Sequence, residues 1–209
     1  AFSSSGTFLN TITRASGTYG YFGFSVSTNS TGTRVAIGAP TANNNTGFVG
    51  VYSSAGALIS TPTNVVGSYS QFGFTVALSG NGLSVMVGTP FGNVNVLRSG
   101  YAALFNAGTG TLVKQIEQTT FSFFGVSGGV SYDGSYGIVG GAGPSNTPFV
   151  IGGSVLVFNT NQRVDTSYYL QGDYTVAGWS RYIAGTVIFS TSEVQISTDG
   201  TRYFGTHNG

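Results

Sequence analysis

Few residues of this chain could carry out acid–base or metal chemistry. Its 209 residues include one histidine, His207, and no cysteine. A serine–histidine–aspartate arrangement would require that single histidine, and a histidine-rich zinc site would require a second one. Both kinds of site are therefore disfavoured, and disulfides and thiolate ligands are excluded.

The acidic residues also lack a catalytic pattern. They are Glu117, Asp133, Asp165, Asp173, Glu193 and Asp199. A glycosidase needs two carboxyl groups that face each other across a cleft. Asp133 and Asp199 occupy equivalent turns of different repeats, which should hold them far apart, and no motif accompanies Asp165 and Asp173. The glycine-rich run at 125–134 lacks the Lys-Ser/Thr pair of a phosphate-binding loop. We predict that the protein is not an enzyme and has no cofactor.

Loop residues with amides and aromatic rings are the remaining candidates for function. They are Asn43, Asn44, Asn45, Phe91, Asn93, Asn95, Arg98, Asn146 and Phe149. Amides can hydrogen-bond to sugar hydroxyls, and aromatic rings offer flat apolar surfaces. These loops are predicted to bind a glycan or a protein, and the alternative is that they are ordinary solvated loops. Two glycosylation sequons, at Asn29 and Asn44, also lie in predicted turns or loops.

Composition restricts the partners of the protein. Charged residues make up 6% of the chain and the net charge is +1, against about 25% charged residues in ordinary soluble domains. No basic stripe suits nucleic acid, and no apolar run is long enough to span a bilayer as a helix. A surface of Ser, Thr, Asn and Gly with little charge repulsion is typical of secreted or assembled proteins. We expect the protein outside the cell or on a cell or virion surface.

An internal repeat organises the chain. The turn glycines Gly32, Gly82, Gly134 and Gly200 follow one another at spacings of 50, 52 and 66 residues. Alternating apolar residues around each turn predict β-strands, and Asn81-Gly82 and Asp133-Gly134 suit tight turns with positive φ at both central positions. The stretch 112–118 has a weak helical pattern but stands where the other repeats have a strand, so we predict a strand. Four antiparallel strands per repeat predict an all-β fold of propeller blades, with a β-sandwich as the alternative.

The repeats resemble the FG-GAP family, the blades of integrin-α-type β-propellers, and most of all its calcium-free secreted variety. The FG pairs are Phe22-Gly23, Phe72-Gly73 and Phe124-Gly125, and the GAP positions are Gly38-Ala39-Pro40, Gly88-Thr89-Pro90 and Ala142-Gly143-Pro144. The phenylalanine is expected to pack between blades, and the glycine to allow close backbone approach. Metal-binding members carry several carboxylates in the first turn. Here those turns hold at most one each, so no calcium is predicted.

The predicted repeats cover 22–71, 72–123, 124–188, and 189–209 completed by 1–21, within one domain of residues 1–209. The last repeat is a poor match and short. The chain is therefore either a four-bladed ring with a trimmed seam or a segment of a longer propeller, and its start at Ala1 indicates a removed leader or a fragment. The stretch 168–185 reads as an insertion that forms extra strands or a docking arm.

These features predict a non-catalytic extracellular β-propeller that serves as a structural or interaction subunit of a surface assembly, such as a filament, a sheath or a viral exterior. Its partners would be other proteins or further copies of itself. The alternative is a soluble adhesion or recognition module that binds glycans or proteins through the loops between strands two and three. Solution size separates the two hypotheses.

Overall fold

The structure of the protein is a computed structural model. It describes residues 5–8, 10–14, 17, 20–65, 67, 69–92, 99–117, 123–142, 153–160, 166–169, 178–181, 193–196 and 202–206.

The described chain is all-β, as the sequence predicted, and its strands form four antiparallel sheets. Sheet 1 contains β1 (Ser25–Thr28), β2 (Arg34–Ala39), β3 (Phe48–Ser53) and β4 (Leu58–Ser60). Sheet 2 contains β5 (Thr75–Leu78), β6 (Ser84–Thr89), β7 (Tyr101–Asn106) and β8 (Leu112–Glu117). Sheet 3 contains β9 (Phe124–Val130), β10 (Tyr136–Ala142), β11 (Gly153–Asn159) and β12 (Thr166–Tyr169). Sheet 4 contains β13 (Gly178–Arg181), β14 (Glu193–Ile196) and β15 (Arg202–Thr206).

Each of the first three sheets is a meander, in which consecutive strands are neighbours. The predicted strand at 112–118 is confirmed as β8. The order in sheet 4 is β13-β15-β14, so its third strand comes from residues before β14. β13 comes from the stretch 168–185, which was predicted to form extra strands or a docking arm. Completion of the last repeat by residues 1–21 stays a prediction.

The three turn glycines that the structure describes occupy matching positions. Gly32, Gly82 and Gly134 have φ angles of 67°, 73° and 79°. Each donates its N–H to the carbonyl oxygen three residues earlier, at 3.0, 2.8 and 3.1 Å. The prediction of positive φ at both central positions was wrong, because only the glycine adopts it. Asn81 instead uses its Oδ1 to accept the N–H of Leu83 at 2.9 Å, which shapes a longer turn.

Adjacent sheets meet at the FG phenylalanines and glycines. Phe72 and Phe124 are fully buried, and each forms a parallel bridge to a glycine of the preceding sheet. The next residues, Gly73 and Gly125, lie at φ angles of 88° and 98°. A methyl group on Gly73 would lie 2.6 Å from the carbonyl oxygen of Phe48. Phe72-Gly73 and Phe124-Gly125 therefore hold adjacent sheets together, because a side chain at either glycine would separate the sheets.

The core lies between the sheets. One cluster joins Val49 and Val51 of sheet 1 to Val76, Val85 and other apolar residues of sheet 2. A second joins sheet 2 to sheet 3 and includes Met86, Leu104, Phe124, Val139 and Phe158.

We term the face of a sheet that packs on the preceding sheet its leading face, and the opposite face its trailing face. In sheet 1, which follows no other sheet, the equivalent face takes the same name. Val76 lies on the leading face of sheet 2, and its equivalent on sheet 1 is Val26.

Candidate interaction face

The asparagine run predicted to bind sugars has a conformational role. Asn43, Asn44 and Asn45 have φ angles of 51°, 60° and 63° within the four-residue turn α1 (Ala42–Asn45). Asparagine tolerates this left-handed region better than other residues with a side chain. The carbonyl oxygen of Asn45 accepts the N–H of Gln71 at 3.0 Å, which ties the turn to the start of the second repeat. The residue type is therefore explained by the backbone alone, whatever else the side chains bind.

The amides of this run are only partly available to a ligand. Asn43 and Asn44 are exposed, and Asn45 is half-buried. The Oδ1 atom of Asn43 accepts a hydrogen bond from the guanidinium of Arg14 at 3.2 Å. The same guanidinium lies 4.1 Å above the ring of Phe48. Arg14 therefore links the N-terminal segment to this loop and to the leading face of sheet 1.

Phe91, another predicted binding residue, belongs to a ladder of four phenyl rings that runs from the first repeat to the end of the second. The ladder consists of Phe24, Phe74, Phe91 and Phe123, with successive ring centroids 5.0, 6.4 and 5.4 Å apart. Phe24 is 54% exposed. Such tilted and edge-on contacts stabilise aromatic pairs beyond their buried area. The ladder thus combines packing between repeats with an apolar surface.

The predicted binding residues that the structure describes lie in two separate sets of contacts. The described contacts join Phe91 to other phenyl rings and join Asn43 to Arg14. The remaining candidates lie outside the described residues, and they are Asn93, Asn95, Arg98, Asn146 and Phe149. His207, Asp165, Asp173 and Asp199 lie outside them as well.

The two sequons differ in their surroundings. Asn29 is 7% exposed, and its Nδ2 donates to the hydroxyls of Thr31 and Thr33 at 2.9 and 3.1 Å. Its Oδ1 accepts the N–H of Arg34 at 2.9 Å. A glycan on Nδ2 would compete with this turn geometry, whereas Asn44 is exposed. Glycosylation at either residue stays a prediction.

Asp133, the described carboxylate in a first turn, is held by hydroxyl and amide donors. Its Oδ1 accepts hydrogen bonds from the hydroxyl and N–H of Ser135 at 2.7 and 2.9 Å, and from the hydroxyl of Ser131 at 2.7 Å. These bonds, led by that of the Ser135 hydroxyl, lower the pKa of Asp133 to about 2. In the described part of the chain, no three His, Cys, Asp or Glu residues form a group that could hold a metal ion.

The leading face of sheet 1 is the feature that sequence reasoning missed. Val26 is 63% exposed, whereas its equivalent Val76 is 6% exposed beneath sheet 1. The N-terminal segment contacts the outer part of this face through Arg14, and Tyr52 there is buried. Burial, countered in part by Arg14, raises the pKa of the Tyr52 phenol. The part of this face around Val26, on the edge strand β1, stays open to solvent. A position-by-position comparison of the repeats carries part of the signal, because Val26 keeps the residue type of the buried Val76, whereas Thr28 stands at the position of the buried Leu78.

The edge of sheet 1 that is formed by β1, which we call its inner edge, also presents backbone donors. In sheet 2, the N–H groups of Val76 and Leu78 donate to the hydroxyls of Ser25 and Ser27 at 2.8 and 2.9 Å. The pairing of β1 with β2 directs the N–H groups of Val26 and Thr28 to the same side. No described residue accepts from these two groups. The open edge therefore combines apolar side chains with two amide donors.

Comparisons with known proteins support the fold alone. No protein-family model and no curated protein matches the chain. It is similar to a solved chain of Kuenenia stuttgartiensis hydrazine synthase, at 15% identity and a TM-score of 0.54, over 93% of this chain and 44% of that one. It is also similar to KlHsv2 with loop 6CD replaced by a Gly-Ser linker, at 12% identity and a TM-score of 0.47, over 79% of this chain and 43% of that one. The chain thus spans less than half the length of either solved chain.

The described residues contain no helix that is long and apolar enough to cross a membrane. The expected absence of a nucleic-acid partner rests on the composition and stays a prediction.

Proposed function

We propose that the protein is a non-catalytic structural and interaction subunit of an extracellular or surface assembly, built from FG-GAP-like blades as a β-propeller or a segment of one. The observation that carries this proposal is the open leading face of sheet 1. The side chain of Val26 is exposed there, whereas its equivalent Val76 is buried in sheet 2 against sheet 1. Ile37 and Tyr52, on the same face of sheet 1, are buried.

Physical chemistry supports an assembled state for such a surface. Exposed apolar side chains beside unpaired strand-edge donors form a ready template for another chain. Proteins that remain monomeric usually protect such an edge with charges, and only 6% of this chain is charged. A net charge of +1 also gives little long-range repulsion between copies.

A second candidate function is recognition of a glycan or a protein at the loop face. The half-exposed ladder of Phe24, Phe74, Phe91 and Phe123 supports it, together with the exposed amides of Asn43 and Asn44. Substitution Phe91→Ala should weaken binding of a ligand found by glycan-array screening, whereas Leu83→Ala, at an exposed turn position, should leave it unchanged. Failure of any glycan or protein to bind the soluble monomer would remove this candidate.

Sedimentation velocity on the purified chain over a range of concentrations tests the assembly proposal. We expect species larger than a monomer that grow with concentration. A monomer that persists at all concentrations would contradict an assembly role and leave the recognition module.

A further inference from the structure

We infer that the open leading face of sheet 1 binds the trailing face of sheet 4 in a second copy of the chain, so that copies join head to tail. This inference rests on the proposed function, because it names the contact through which the subunits would assemble.

The junction between sheets 1 and 2 shows what this kind of leading face binds. The buried side chain of Val76 packs on apolar residues of the preceding sheet. Gly73 lies against Gly38 and Phe48 of that sheet. The N–H groups of Val76 and Leu78 donate to hydroxyls of its inner strand.

Sheet 1 presents the same three features without a counterpart. Val26 is exposed, and a methyl group built on Gly23 would meet no atom within 4 Å. The N–H groups of Val26 and Thr28 point outward in the positions of Val76 and Leu78. The face is therefore built for another sheet of the same repeat, because each of its features has a known complement in the junction between sheets 1 and 2.

The last sheet supplies the matching inner strand. Glu193 pairs with Thr206 as Ser25 pairs with Gly38, which places Glu193 and Gln195 at the register positions of Ser25 and Ser27. Glutamate and glutamine are residue types that accept hydrogen bonds through side-chain oxygens. The four sheets of one copy leave Val26 exposed, so we assign the complementary strand to a second copy.

A head-to-tail contact of this kind uses different surfaces on the two partners. Each added copy again offers an open leading face, so the assembly grows into a closed ring or an open filament, depending on the rotation between copies. A two-fold symmetric dimer would instead bring two leading faces together. The experiment below separates these arrangements.

The first test compares two aspartate substitutions at apolar side chains of similar exposure. Val26→Asp places a charge in the proposed contact, whereas Leu83→Asp changes a residue that is 58% exposed in a turn of sheet 2. Sedimentation equilibrium should show association weakened by at least about a hundredfold for Val26→Asp, and by no more than about twofold for Leu83→Asp. The milder Val26→Ser should weaken it by about tenfold. Circular dichroism confirms that each variant is folded.

The outcomes separate this inference from the proposed function. If the unaltered chain stays monomeric, both are overturned. If it associates and Val26→Asp associates equally well, only the head-to-tail contact is overturned.

The second test uses the absence of cysteine from the sequence. A variant with Val26→Cys and Glu193→Cys should form disulfide-linked chains of two or more copies on mild oxidation, while Val26→Cys alone should not. A linked dimer from Val26→Cys alone would indicate a symmetric face-to-face contact. A disulfide within one copy of the double variant would indicate that sheet 4 closes onto sheet 1 of its own chain. Either result would overturn the inference.

Discussion

Sheets 1 and 2 have the same strand order and the same turn glycine, yet their leading faces meet different surroundings. In sheet 2 the leading face is covered, and Val76 contributes to a core. In sheet 1 the equivalent Val26 faces solvent, although Arg14 of the N-terminal segment covers Phe48 on the same face. The comparison shows that the repeat specifies a sheet whose two faces can each pack on another sheet. Whether a given position is core or surface depends on whether a neighbouring sheet covers it.

The largest expected difference between the two sheets comes from a charge at equivalent positions. Val76→Asp buries an unpaired carboxylate and should lower the free energy of unfolding by about 3 kcal/mol or more. Val26→Asp should change it by less than about 0.5 kcal/mol. Urea denaturation followed by circular dichroism, with dilute protein, measures both. Equal losses would mean that Val26 is as buried as Val76.

The FG glycines give a second contrast. Gly73→Ala adds a methyl group close to the carbonyl oxygen of Phe48, and the alanine would have to adopt the positive φ of Gly73. The substitution should lower the free energy of unfolding by about 3 kcal/mol. Gly23→Ala, with a φ of 95° but no atom nearby, should cost about 1–2 kcal/mol of backbone strain. Thermal unfolding of the two variants separates crowding from strain, and identical costs would contradict the close approach of the sheets at Gly73.

Removal of a hydroxyl acceptor should have an intermediate effect. Ser27→Ala leaves the N–H of the buried Leu78 without its partner, at a cost of about 1–2 kcal/mol. Thr28→Ala, one residue along the same strand and exposed, is the matched control and should cost less than about 0.5 kcal/mol. If the two variants unfold at the same urea concentration, the hydroxyl–amide contact does not hold the sheets together.

The smallest effect should come from the turn of the third repeat. The hydrogen bonds that lower the pKa of Asp133 favour its carboxylate in the folded protein. Their contribution to stability is therefore complete above the ordinary aspartate pKa of about 4 and is lost as the pH falls towards 2. The carboxylate is exposed, so the effect is weak. Between about pH 5 and about pH 2, the midpoint of thermal unfolding should fall less for Asp133→Asn than for the unaltered chain. Identical pH dependence would refute this role.

Much of the fold could be predicted from the sequence, because strand alternation and turn glycines are local signals. Gly32 and Gly82 marked equivalent turns, and the strand at β8 followed from its place in the repeat rather than from its own pattern. The turn geometry could not be predicted from the Asn-Gly pair, since a side-chain hydrogen bond of Asn81 selects a longer turn. The place of β13 beside β15 in sheet 4 was not predicted, because strand pairing across a chain depends on long-range contacts.

The candidate site was less predictable than the fold. Residue types predicted that Asn43–Asn45 bind a ligand, which stays a prediction. The structure adds that their left-handed backbone conformation favours asparagine. Val26 has the same residue type as its buried counterpart Val76, so this position alone does not reveal exposure, whereas Thr28 in place of Leu78 does indicate it. Exposure is set by what packs against the strand.

Hydrogen exchange of four backbone amides tests the difference between the two sheets most directly. In dilute solution, the N–H groups of Val76 and Leu78 should exchange slowly, and those of Val26 and Thr28 should exchange rapidly. At concentrations where copies associate, the latter pair should become protected. Equal protection of all four amides in the dilute monomer would contradict the claim that sheet 1 presents an open docking face.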